Sequence, residues 1–202
     1  MYKTIIWVLA ATVCITTSLQ AISAQPPSKE EARNTRPTIT GVPSSYEPTP
    51  AFPYGRLNPN APPETNQFAF MIGEFDCIDS IINPQTGEWT RFPAIWTAKY
   101  FLNGYGVQDQ YWSPHFSTSN IRIFDRKEKR WMVTFFRMPG YSSGVWSGIK
   151  EVNDLVMLRG DEKQGSRLTF SGITKGGFSW VGESIRNGEA TAFWKSSCKR
   201  RR

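Results

Sequence analysis

The chain has 202 residues, a formal net charge of +7, 39% hydrophobic residues and 14% aromatic residues. That length allows one or two domains, and the aromatic content argues for a packed core. Much of the positive charge is gathered at the C-terminal end, in Lys195, Lys199, Arg200, Arg201 and Arg202. The rest of the chain is close to neutral, which excludes the broad basic face that a nucleic-acid binder needs. The terminal cluster reads as a solvated, frayed tail or, alternatively, as a weak contact for an anionic envelope surface.

Residues 1–24 read as a secretory signal peptide, with Lys3, an apolar run from Ile5 to Ile15, and small residues Ala21, Ser23 and Ala24 before the cleavage point. The run is short for a bilayer span. The chain is therefore expected to be exported, to the periplasm or the exterior, and Cys14 leaves with the signal. Residues 25–63 hold most of the fourteen prolines, mixed with Ser, Thr, Asn and Glu, and show neither a helical nor a strand period. Such a segment cannot bury enough apolar surface to offset its ordering entropy, so it is expected to be a disordered tether. Residues 64–198 form the predicted domain, and 199–202 a basic tail.

Glu64 to Met71 predicts a short helical turn, with Phe68 and Met71 spaced to cap one end of a barrel. Strands are predicted over 74–83, 88–102, 106–113, 118–124, 130–138, 144–150, 155–159, 167–173, 178–184 and 191–198, punctuated by Gly, Asn and charged turn clusters. This rhythm, with no helical pattern between the strands, predicts an all-β, up-and-down antiparallel barrel of about eight to ten strands. Small closed barrels are either filled with side chains or hold one small ligand. Alternation assigns the faces. With Lys99 outward, Trp96, Ala98 and Tyr100 turn inward; with Arg167 outward, Leu168 and Phe170 turn inward; with Lys150 outward, Val145, Ser147 and Ile149 turn inward.

The stretch Phe68-Ala69-Phe70-Met71-Ile72-Gly73-Glu74-Phe75-Asp76 resembles the opening motif of a bacterial family of secreted, lipocalin-like (calycin-type) domains of unknown function. Trp96 to Gly104 with Gln108-Asp109, then Asn120 to Asp125 with Trp131, then Phe178 to Ser184, resemble later hairpins of that family in the same order. The resemblance implies a lipocalin-like barrel and no particular activity.

The sequence carries one histidine, His115, and no His-Glu-x-x-His, Cys-x-x-Cys or Gly-x-Ser-x-Gly pattern, so no metal, cofactor or catalytic residue is assigned. Tryptophans are plentiful. They either fill the barrel or wall a pocket, and Trp96, Tyr100 and Trp180 are the leading wall candidates. Asp109, Arg122 and Glu183 sit inside strand patterns. They are either outward ion pairs or an inward group, in which Arg122 and Glu183 would make a polar floor and Asp109 and Glu183 could serve acid–base chemistry. Cys77 in the first strand and Cys198 in the last are either a bridge that staples the closed sheet or two free thiols. The leading function is non-catalytic binding of a small apolar or aromatic molecule. The alternatives are a hydrolase or isomerase using carboxylates in the cavity, and a structural or adhesive envelope protein with a filled barrel.

Overall fold

The structure is a computed structural model that describes residues 45–201. The signal-peptide reading, residues 25–44 of the tether and Arg202 lie outside the described residues. A 3-10 helix, Pro63–Met71, precedes ten strands: β1 Gly73–Ile82, β2 Trp89–Phe101, β3 Gly106–Trp112, β4 Ser117–Asp125, β5 Arg130–Met138, β6 Ser142–Glu151, β7 Asp154–Gly160, β8 Gln164–Thr174, β9 Gly177–Arg186 and β10 Glu189–Arg200. Each strand pairs antiparallel with the next, and β1 pairs with β10 as well as β2, so the sheet closes as an up-and-down barrel. Closure leaves no unpaired sheet edge to recruit another chain.

The seam between β1 and β10 places Cys77 directly opposite Cys198, and the two are joined by a disulfide with Cα atoms 4.0 Å apart. Strand β10 continues through Arg200, two residues beyond the boundary drawn from composition. The basic residues of the expected tail are engaged by the fold. Arg200 donates to the carbonyls of Phe70 and Ile72 at the end of the 3-10 helix, and Arg201 pairs with Asp76 and Glu74. The orphan carbonyls at a helix terminus need donors, and here a guanidinium from the last strand supplies them.

Composition assigned Ser45 to Pro62 to the tether, yet these residues lie against the β2–β3 turn. Tyr46 and Asn58 bond to Asn103, Glu47 accepts from the Asn103 backbone, and Tyr100 donates its N–H to the Tyr54 carbonyl. The turn tolerates this approach because Gly104 has φ +80° and no side chain; a Cβ there would stand 2.4 Å from the Arg56 carbonyl. Proline-rich chain has few donors of its own, and a turn with free polar groups offers it fixed partners without any strand pattern.

The sheet's faces follow alternation along most strands. Trp96, Ala98 and Tyr100 turn inward on β2, and Leu168 and Phe170 on β8. On β6 the expectation is reversed. Gly148 and Trp146 lie opposite the buried Trp131 and Val133, so they face inward, while Val145 and Ile149 stand exposed on the outer face. Lys150 shares the inward parity but sits opposite Leu155 at the rim, where a long side chain escapes to water from either face. It was therefore no guide to register.

Candidate functional site

The barrel interior divides along its axis. At one end the 3-10 helix lies across the opening and drives Phe68 and Met71 inward, both fully buried. Phe68 meets Trp131 edge-on with ring centroids 4.6 Å apart, and Trp131 donates its indole N–H to Gln67 on the helix. Phe75, Leu155, Phe170 and Phe178 complete a dry plug. Beneath it lies a buried ion pair, Asp109 with Arg122. These come from adjacent strands, and Asp109 also accepts from the Asn120 amide at 2.8 Å. Burial disfavours the charge on Arg122 and lowers its pKa. The Asp109 carboxylate in contact with it is the one partner placed to offset the cost of burying that charge. Arg122 also stacks over Phe68, its guanidinium carbon 5.1 Å from the ring centre.

Toward the opposite end, the mouth, the interior changes character. Trp96, Tyr111 and Trp180 make a floor, with Trp96 and Trp180 rings 6.5 Å apart and Trp180 against Trp194 at 4.8 Å. The indole N–H groups of Trp96 and Trp180 are buried and have no acceptor. Beyond that floor, inward positions on β5, β6, β8 and β10 carry Phe135, Trp146, Leu168 and Trp194, and all four are only half-buried. These four inward side chains still meet water, whereas Met157 on β7, between two of their strands, is buried. Phe116, from the β3–β4 loop, leans over Tyr111 and Trp194 at the mouth, and Arg137 stacks on it at 4.6 Å.

The mouth-side interior also holds a buried carboxylate that the sequence reading did not single out. Asp79, fully buried on β1, accepts hydrogen bonds from Tyr111 (2.7 Å), Trp194 (2.6 Å) and Ser196 (2.6 Å). Burial raises its pKa, and the three donors oppose that rise. Burial and the Asp79 carboxylate also push the Tyr111 hydroxyl well above the ordinary range, so it stays a donor. The hub fixes two aromatic side chains of the wall. A signal for it was present in the sequence, because Asp79 shares parity with Phe75 and Cys77.

The predicted site residues are thus distributed unequally. Trp96, Tyr100, Trp180, Asp109 and Arg122 are all interior, and Tyr100 belongs to the helix end rather than the mouth. Glu183 lies on the outer face, where it accepts from Arg167 at 2.8 Å. Arg122 is partnered by Asp109 instead, so no Arg122–Glu183 floor forms, and Asp109 and Glu183 are separated by the wall of the sheet. His115 is exposed in the mouth loop, edge-on to Phe92 at 4.9 Å. An open groove of about 560 Å³, lined by Ile149, Val156, Leu158, Arg167 and Ile185, runs over the outer face. It includes none of the inward candidates. Among the described residues no three His, Cys, Asp or Glu side chains gather as a metal site.

No family model matches this sequence, and no curated protein matches it. Among solved structures, the chain is similar to the S-type phycobiliprotein lyase from Guillardia theta, at 11% identity and a TM-score of 0.45, with 68% of this chain and 92% of that chain covered.

Proposed function

We propose that this protein is an exported barrel that binds one small, largely apolar or aromatic molecule in the mouth-side half of its interior, without catalysing a reaction on it. The observation that carries the reading is the unfinished state of that half. Four large inward side chains remain in contact with water, and two buried indole N–H groups beside them have no acceptor. Buried donors in native proteins are nearly always satisfied, and a ligand carbonyl, ether or hydroxyl reaching the floor would satisfy these. Aromatic walls with a few convergent polar groups are the usual makeup of a small-molecule pocket. Export is supported by the leader pattern of residues 1–24 and by the disulfide, which persists in an oxidising compartment.

The test is a titration with a neutral apolar fluorophore, phenylnaphthylamine, read by its own emission and by quenching of tryptophan. A saturable transition in the micromolar range is expected, weakened several-fold by Trp146→Ala. No saturable binding would overturn the reading in favour of a filled barrel.

A further inference from the structure

The inward positions nearest the mouth on three alternate strands are all arginines: Arg137 on β5, Arg159 on β7 and Arg186 on β9. Each follows the inward parity of its strand, two residues beyond Phe135, Met157 and Ser184 respectively. Four ion pairs occur among the described residues, and none includes these three side chains. The two interior carboxylates are already committed, Asp109 to Arg122 and Asp79 to its three donors. The acid directly across from any of the three is Glu189, opposite Arg186 at the tip of the β9–β10 hairpin.

Arg159 is exposed at the mouth, and its head group lies over the inward face of the neighbouring strand β6. Gly144 shares the inward parity of Trp146 and Gly148, and a Cβ built on Gly144 would stand 2.8 Å from the Arg159 guanidinium carbon and 2.9 Å from one of its nitrogens. The guanidinium therefore crosses the inner surface of β6, in space that any other residue at position 144 would fill. Ser166 lies directly opposite Arg159, Ser184 opposite Ser166, and Thr191 opposite Ser184, so a row of inward hydroxyls leads away from the guanidinium around the wall. A planar cation without a counter-ion, beside hydroxyl donors and at the edge of an aromatic chamber, is the arrangement that receives a carboxylate.

Resting on the binding function proposed above, we propose that the ligand is an amphipathic organic acid, its apolar body against Trp146, Leu168 and Trp194 and its anionic group held at the mouth by Arg159, with Ser166 and Ser184 as neutral donors. Arg137 and Arg186 flank the opening and add attraction for an anion approaching from water. The order of contacts also fixes the orientation: the acid enters apolar end first.

The discriminating experiment compares two fluorophores with the same apolar body, the neutral phenylnaphthylamine and the anionic anilinonaphthalene sulfonate, on the full folded domain. At low salt the anionic probe should bind about tenfold tighter, and Arg159→Gln should remove that advantage while leaving the neutral probe unchanged, with Arg159→Lys restoring part of it. Equal affinity for the two probes, or an anionic preference that survives Arg159→Gln, would refute the acid-binding assignment and leave the apolar pocket standing. Failure of both probes to bind would overturn the pocket itself, and circular dichroism of each variant separates these results from misfolding.

Discussion

The two ends of this barrel are built from the same alternating strands and differ in what stands at the inward positions. At the helix end those positions carry Phe75, Trp131, Leu155 and Phe170, all buried, and the one charged pair there is internally neutralised. At the mouth they carry Arg137, Arg159 and Arg186, with serines between them, and the rings just inside remain half-wetted. Close packing rewards the first arrangement with stability. The second forgoes that stability, and the proposed binding at the mouth rests on this contrast.

The largest effect is expected from breaking the neutralised pair of the packed end. Asp109→Ala leaves Arg122 charged beneath Phe68 without a counter-ion and should cost about 3–5 kcal/mol in urea unfolding. The double variant Asp109→Ala/Arg122→Met should recover most of that loss. A single variant as stable as the parent would mean that this end is not the rigid half.

An intermediate effect is expected at Asp79, which stands between the halves. Its pKa is raised in the folded state, so the folded protein holds the proton to higher pH than the unfolded chain does. The stabilising contribution is complete below about pH 4, the unfolded carboxylate range, and is lost as pH rises through the folded value. Asp79→Asn should therefore flatten the decline of stability above about pH 4, seen as a thermal midpoint that changes less with pH than the parent's. A steeper decline in the variant would reverse the assignment of cause.

The smallest effect belongs to the rim. Arg186→Gln should change unfolding free energy by no more than about 0.5 kcal/mol, and Arg137→Gln, which also loses its stack on Phe116, by no more than about 1 kcal/mol, because both side chains are exposed and neither is ion-paired. A loss comparable to that of Asp109→Ala would erase the distinction between the two ends.

Much of the fold was legible because strand period and turn residues are local. Phe68 and Met71, three apart before the first strand, announced the plug, and Lys99 correctly turned Trp96 and Tyr100 inward. The site was less legible because it depends on register between strands. Nothing local distinguishes Asp109 from Glu183 as the partner of Arg122; that choice follows from β3 lying beside β4 while Glu183 faces outward on β9. Asp79 was hidden by its own charge, since a carboxylate in an alternating strand reads as a solvent-facing residue unless its parity is followed from Phe75. The mouth arginines were hidden in the same way. Gly144 gave no signal at all, because its importance is a space that a side chain from the neighbouring strand occupies.

Both limits of the described chain lie at the same pole. Ser45 begins the segment resting on the β2–β3 turn, and Arg201 follows β10 beside Glu74 and Asp76. Chain continuing past either of these limits therefore leaves from the plugged pole. The mouth, at the other pole, is left clear of both.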